Sequence, residues 1–195
     1  MVNISYSFLL PSLEENDVLG VYSCSNMLEP ARNLKSQFEF HLQSIKSYGL
    51  RVVKADLTRP WGGFFVLDDS QIDLFAQHFF NGVDLTLIQS VYKLSPKILM
   101  VKPGARLSWQ YHSRRAEIWR VVEGPVGIVR SSTDEEGELV SCEAGETIVL
   151  EKGERHRLVG LENWGVVAEF WQHTDPDHPS DEDDIVRVQD DYSRK

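Results

Sequence analysis

Gly104-Ala-Arg-Leu-Ser-Trp-Gln110-Tyr-His112-Ser-Arg-Arg-Ala-Glu117-Ile-Trp-Arg-Val-Val-Glu-Gly124 is the stretch on which the reading of this chain turns. Side chains alternate faces along a strand, so Gln110 and His112 project to one side while Tyr111 points away. The chain then has room to turn through Ser113, Arg114 and Arg115 and to present Glu117 from the start of the next strand, Ile118 to Glu123. Farther on, Gly145 and Gly153 bracket a short strand, Thr147 to Leu150, and His156 opens another apolar run that can close the set from across a small barrel. Two imidazoles, one carboxylate and one amide oxygen make a borderline nitrogen and oxygen donor set. It suits Zn²⁺ and also admits Fe²⁺, Mn²⁺, Co²⁺ or Ni²⁺. Gln110, His112, Glu117 and His156 are therefore candidate ligands of one divalent metal inside a small β-barrel.

A lone strand histidine is more commonly a surface or packed residue than a ligand, and the surrounding turns are what change that weighing. Gly104 follows Pro103, Gly124 ends a strand before Pro125, and Gly145 and Gly153 flank the second cluster. Two turn-bounded hairpins carry ligand-type residues at matching places. Around them, short strands alternate with turns: Ile98 to Lys102, Leu107 to His112, Ile118 to Glu123, Val126 to Arg130, Leu139 to Cys142, Thr147 to Leu150, His156 to Val159 and Val166 to His173. Strands of this length and spacing fit a double-sheet jelly roll. Ser131 to Glu138 reads as a hairpin loop within it.

The spacing Gly104-x5-Gln110-x-His112-x4-Glu117-x6-Gly124, then Gly145-x5-Glu151-x-Gly153-x2-His156, resembles the two cupin motifs, with Gln110 where the commonest version has a histidine. The run from Pro103 to His112, followed by Arg115-Ala-Glu117-Ile-Trp119, is similar to the isomerase domain of type II phosphomannose isomerases. Arg59-Pro-Trp-Gly62 resembles the opening motif of that domain, and Glu182-Asp-Asp-Ile-Val-Arg187 with Asp191-Tyr192 resembles its C-terminal signature. The resemblance covers roughly residues 59 to 195. That family usually reads His-His-His-Arg-Ala-Glu-His-Trp where this chain has His112-Ser-Arg-Arg-Ala-Glu117-Ile-Trp119, so Ser113, Arg114 and Ile118 replace histidines while His112 and Glu117 stay. These 195 residues carry no glycine-rich phosphate-binding signature near the start, so the nucleotidyltransferase domain often fused upstream in that family is not expected here, nor is sugar-nucleotide synthesis.

The resemblance implies a mainly β fold, a cupin double-stranded β-helix, with a bound divalent metal and a phosphosugar substrate. The implied reaction is aldose–ketose isomerisation, mannose 6-phosphate to fructose 6-phosphate. A heptose or pentose phosphate substrate, a non-catalytic sugar-binding cupin and a metal oxygenase are the competing expectations. Arg115 and Arg187 sit in the family's motifs and are expected to be catalytic. Arg106, Arg114, Lys152 and Arg157 cluster in sequence around the ligands and are expected to bind the anionic substrate. Glu151, Glu154 and Asp183 lie near the motifs, although each reads as a surface carboxylate, and the proton-shuttling base has no assignment. Cupin resemblance makes a homodimer the expected assembly.

Composition narrows the classes further. At 195 residues and 42% hydrophobic content, the chain can bury one sizeable core plus a small appendage. The formal charge of −10, with no basic stripe, speaks against nucleic acid or an anionic membrane as partner. Much of that charge lies between Asp175 and Asp191, where eight acidic residues stand against Arg187 alone. The Ile185-Val-Arg-Val188 kernel argues that this acidic segment docks on the barrel. Cys24 and Cys142 show no paired spacing and are expected to be reduced, and no segment has the ~20 apolar residues of a membrane span. The expected location is the cytoplasm.

An amphipathic helix is expected over residues 30–48, with Leu34, Phe38, Leu42 and Ile45 on one face and Gly49 ending it. A second is expected from about Ser70 to Phe80, with Ser70 and Asp73 as a capping box. The expected division is a helical extension over residues 1–58 and a cupin domain over residues 59–195.

Overall fold

The computed structural model describes residues 34–83 and 93–194. Helix α1 (Leu34–Ser47) buries Phe38 and Ile45. It ends as expected at Gly49, whose φ of 76° lets Gly49 N donate to Lys46 O and Leu50 N to Ile45 O, a Schellman closure. The first residues of the expected helix, 30–33, lie outside the described residues. Helix α2 (Ile72–Phe79) follows a short 3-10 turn, Asp69–Gln71. Its expected capping box does not form: the Asp68 side chain accepts from Ser70 N and caps the 3-10 turn instead.

Eleven strands are present among the described residues, the first two between the helices: β1 (Val52–Asp56), β2 (Gly62–Leu67), β3 (Lys93–Val101), β4 (Trp109–His112), β5 (Arg115–Glu123), β6 (Val126–Ser131), β7 (Leu139–Cys142), β8 (Thr147–Leu150), β9 (Arg155–Gly160), β10 (Gly165–His173) and β11 (Ile185–Gln189). They form a six-stranded antiparallel sheet, β1-β2-β3-β10-β5-β8, and a five-stranded antiparallel sheet, β11-β4-β9-β6-β7. The expected strands appear within a few residues of their bounds. β1 and β2 are additional to them, and the docked kernel of the acidic segment is β11. At the start of β2 the sheet needs glycine: a Cβ on Gly62 would lie 1.9 Å from Met100 O across the ladder.

Two apolar cores result. Between the sheets, Leu99, Trp119, Val121, Val126, Ile128, Leu150, Leu158 and Val167 pack together. On the outer face of the six-stranded sheet, Phe65, Met100, Ile118, Ala168 and Phe170 pack against Phe38 and Ile45 of α1 and Phe75 of α2. Residues 34–58 thus share a core with strands of the barrel. Among the described residues no helix is long and apolar enough to cross a membrane.

Candidate metal centre and its pocket

Strand pairing assembles the candidate ligands from three strands. Gln110 and His112 lie two apart on β4, and Gln110 sits opposite His156 of β9. Glu117 comes from β5 in the other sheet, where Ser95, Trp171 and Glu117 form one cross-strand row. The sheets face each other, and these side chains meet in the interior. His112 Nε2 is 3.1 Å from Glu117 Oε1, His156 Nε2 is 3.3 Å from Glu117 Oε2, and the potential ligand atoms of the three lie within 4.8 Å of one another. Gln110 lines the same pocket, its Oε1 accepting from Ser108 Oγ at 2.6 Å.

The donor set fits a divalent cation. His156 Nδ1 is 3.0 Å from Glu154 O, and His112 Nδ1 is 3.4 Å from Asp184 O. A carbonyl can only accept, so each Nδ1 carries the proton and each Nε2 presents a lone pair towards Glu117, the arrangement seen in metal-ligating histidines. His156 Nε2 is buried and makes no hydrogen bond. Such an orphan is costly unless a cation meets it. Burial pushes His112 down to about 4, with Arg115 and His156 adding to the effect, so the ring is neutral near pH 7. Burial works against ionisation of Glu117, yet the Arg115 guanidinium that donates to its Oε1 holds it well below the usual carboxylate range.

Arg115 crosses the same space. Its Nε donates to Glu117 Oε1 at 2.7 Å and its Nη2 lies 3.0 Å from His112 Nε2, while its guanidinium stacks on Trp171 at 3.6 Å. Beside it lie two charged residues that sequence reasoning missed, Lys97 and Glu169, opposite each other across the β3–β10 ladder. Both line the pocket and both are almost fully buried. Glu169 Oε1 accepts from Trp119 Nε1 at 2.9 Å, a donor shared with Glu117 Oε2 at 3.1 Å. Burial, reinforced by the charge of Glu117, raises Glu169 to about 8. Lys97 sits over the Trp171 ring at 3.2 Å and donates to Glu182 Oε1 at 2.9 Å, and burial lowers it. The overlooked signal was a charged residue inside otherwise apolar strands, Leu-Ser-Pro-Lys97-Ile-Leu-Met and Val-Val-Ala-Glu169-Phe-Trp.

Towards solvent the pocket is lined by partly exposed Arg59, Arg187 and Arg194. With Lys97 and Arg115 this makes five basic side chains against the two carboxylates Glu117 and Glu182 and the protonated Glu169, in a chain that is acidic overall. Arg187 was expected here. The four expected substrate-binding residues were not confirmed as pocket residues. Arg106 pairs with Asp191 at 2.6 Å, and Arg114 pairs with Asp181 at 2.8 Å. Arg157 donates to Leu107 O and Glu136, and Lys152 is exposed in the turn between β8 and β9. Nearness in sequence misled here because Asp191, Asp181 and Glu136, distant in sequence, draw Arg106, Arg114 and Arg157 to themselves, while Lys152 stays in a turn. Glu151, Glu154 and Asp183 also stand outside the pocket, Glu154 being paired with Arg130.

The departures from the histidine-rich pattern fall away from the pocket. Ile118 alternates to the outer face and packs in the helix-covered core, while the backbone N–H groups of Ser113 and Arg114 donate to Asp184.

The pattern of the family described as "Mannose-6-phosphate isomerase C-terminal" matches residues 80–190. The chain belongs to this family. The mannose-1-phosphate guanylyltransferase of Escherichia coli K12 is 26% identical over 190 residues, covering 96% of this chain and 34% of that protein. The xanthan biosynthesis protein XanB of Xanthomonas campestris pv. campestris is 29% identical over 136 residues, covering 70% of this chain and 23% of that protein. The chain thus spans about a third or less of these relatives, and their names tie the family to sugar-phosphate metabolism. Among solved structures, a variant of Bacillus subtilis oxalate decarboxylase aligns with a TM-score of 0.50 at 13% identity, over 69% of this chain and 30% of that one, in agreement with a cupin fold.

Proposed function

We propose that this chain is a metal-dependent aldose–ketose isomerase of a phosphorylated sugar, with mannose 6-phosphate and fructose 6-phosphate as the pair it interconverts. The observation that carries the reading is one pocket with two unlike parts: Gln110 and Glu117, the latter in contact with buried His112 and His156, and a partly exposed cluster of Arg59, Arg187 and Arg194. The arginines suit a phosphate, for which guanidinium groups provide planar, bidentate donors. Held at that end, a hexose phosphate extends its carbonyl end towards the buried group.

Gln110, His112, Glu117 and His156 would hold a divalent metal, Zn²⁺ by the character of the donors, which supplies a Lewis acid for a sugar oxygen. Isomerisation moves one proton between adjacent carbons and places negative charge on oxygen between the two transfers. Glu169 in its ionised form, beside the Lys97 ammonium, would accept that proton from one carbon and return it to the other. Arg115 places a fixed positive charge beside the developing oxyanion. Trp171 and Trp119 wall the reacting end and exclude water.

The test is a panel of hexose, heptose and pentose phosphates presented to protein of known metal content. Turnover of mannose 6-phosphate that disappears on chelation and returns with Zn²⁺ is the expected result. Preference for another phosphosugar would keep the chemistry and change the substrate. No turnover across the panel by metal-loaded protein would remove the isomerase reading in favour of a binding role.

A further inference from the structure

We infer that the segment Ser180–Asp184 is a working part of the pocket, in which Ser180 and Glu182 are positioning residues for its two buried cations, Arg115 and Lys97. The inference rests on the isomerase reading for its kinetic consequences, and on hydrogen bonds for its geometry.

Ser180 is fixed on three sides. Its backbone N–H donates to His173 Nδ1 at 2.9 Å, its hydroxyl donates to Asp184 Oδ2 at 2.7 Å, and the hydroxyl oxygen accepts from Arg115 Nη1 at 2.8 Å. His173 is held in turn, with its Nε2 3.0 Å from Ser95 Oγ on β3. Asp184 receives the backbone N–H groups of Ser113 and Arg114 at 3.0 Å each, and its carbonyl faces His112 Nδ1. Glu182 accepts from Lys97 at 2.9 Å. Four of these five consecutive residues, Ser180, Asp181, Glu182 and Asp184, therefore touch the imidazole of His112, the guanidinium of Arg115 and the ammonium of Lys97. A tail that only covered the barrel would need none of these contacts.

The donors of Arg115 show what the positioning achieves. A guanidinium has five N–H groups. Four are directed within the protein, to Glu117, Ser180, Asp181 O and His112. The remaining hydrogen is on Nη2, the second hydrogen of Nη2 would be released where His112 Nε2 holds a metal, and Arg115 lines the pocket. Ser180 and Asp181 O occupy Nη1 and so fix which edge of the guanidinium is left for a sugar oxygen. Without the Ser180 hydroxyl, Arg115 can rotate about its bond to Glu117 and lose that aim.

The experiment uses the full chain, metal-loaded, as wild type, S180A, S180T and E182Q. Wild type and S180T should share kcat within threefold. S180A and E182Q should lose about tenfold in kcat, roughly one hydrogen bond to a charged group, with KM within threefold. A residue that serves only packing would lower the unfolding midpoint without this split and without rescue by threonine. The independent reading is the Arg115 Nε–H resonance in ¹⁵N NMR, assigned with R115K. It should be sharp in wild type and S180T and shifted or broadened in S180A. If S180A fails to fold, E182Q at a half-exposed side chain still decides on kcat. Unchanged kcat in the folded variants, with an unchanged Arg115 resonance in S180A where it folds, overturns the inference and leaves the isomerase intact. A wild type that turns over no phosphosugar removes the isomerase reading, and the NMR comparison then decides the positioning alone.

Discussion

The two faces of the six-stranded sheet are made by the same strands and do opposite things. On β3, β10 and β5 the outward residues Pro96, Phe170 and Ile118 form one cross-strand row, and Phe170 stacks against Phe75 and Phe80 at 4.9 Å each under the helices. One residue along, the inward row is Lys97, Glu169 and Trp119, followed by Ser95, Trp171 and Glu117. The outward row gains free energy by leaving water. The inward row gives some of that up, because buried charges cost several kcal/mol each unless they are paired. The pairs Arg115–Glu117 and Lys97–Glu182, with Glu169 kept protonated, limit the cost and leave a polar, water-poor pocket. The candidate site sits on the face that carries buried charge, and an apolar core covers the face behind it.

The sharpest way to break this division is to remove a ligand. Glu117→Gln should abolish metal retention and lower turnover by well over the roughly 100-fold typical of an outer-shell loss, while far-ultraviolet circular dichroism stays that of a folded barrel. Elemental analysis of the purified variant checks the first part. If E117Q kept its metal, the centre would lie elsewhere.

Phe170→Ala tests the opposite face. Truncating a fully buried aromatic is expected to cost about 3–5 kcal/mol in denaturant unfolding. Metal content per folded molecule should not change, because Phe170 touches the helices and points away from Glu117. A large loss of metal with little loss of stability would mean that the two faces are not separable.

A smaller effect separates two inward groups by pH. Glu169 is raised from 4.5 to about 8, so the folded protein keeps a proton there that the unfolded chain has released. That contribution to stability is complete below pH 4.5 and is lost as pH rises through 8. His112 runs the other way. Its value falls from 6.5 to about 4, so its contribution is present above pH 6.5 and is lost as pH falls through 4. In the metal-free protein, the denaturation midpoint of E169Q relative to wild type should therefore rise between pH 6 and pH 9. A constant difference over that range would mean that Glu169 is ionised throughout.

Most of the inner architecture was legible because its signals are local. Glycine and proline punctuate the strands from β3 to β10, and period-two alternation places Gln110 and His112 on one side, so the candidate ligands follow from spacing alone. β1 and β2 were not legible. β1 is largely exposed and carries Lys54 and Asp56, and β2 opens on Gly62-Gly63, which reads as a turn until Met100 is seen against it. Glu169 and Lys97 were visible only as charges out of place in apolar runs, and their pairing depends on a register that no local rule gives. The arginines near the motifs were misjudged for the related reason that acidic partners distant in sequence, Asp191 for Arg106 and Asp181 for Arg114, hold them outside the pocket.

Arg106 is the cleanest case of that misjudgement and gives the smallest expected effect. It is two residues before Ser108, which does line the pocket, and its charge and position suggested a phosphate ligand. Instead its Nε and Nη2 form a bidentate pair with Asp191 at 2.6 and 2.9 Å, with both side chains more than a third exposed. An exposed pair of this kind is worth at most about 1 kcal/mol. Its contribution is to tie the C-terminal residues to the barrel beside Arg187 and Arg194. R106Q should therefore leave kcat unchanged, shift KM for the phosphosugar by less than about threefold and lower stability by at most ~1 kcal/mol. R187Q, made alongside, should raise KM far more. A rise in KM as large for R106Q as for R187Q would mean that the phosphate is seated around Asp191 and Arg106, and the charge asymmetry of the pocket would then have to be explained by some other ligand.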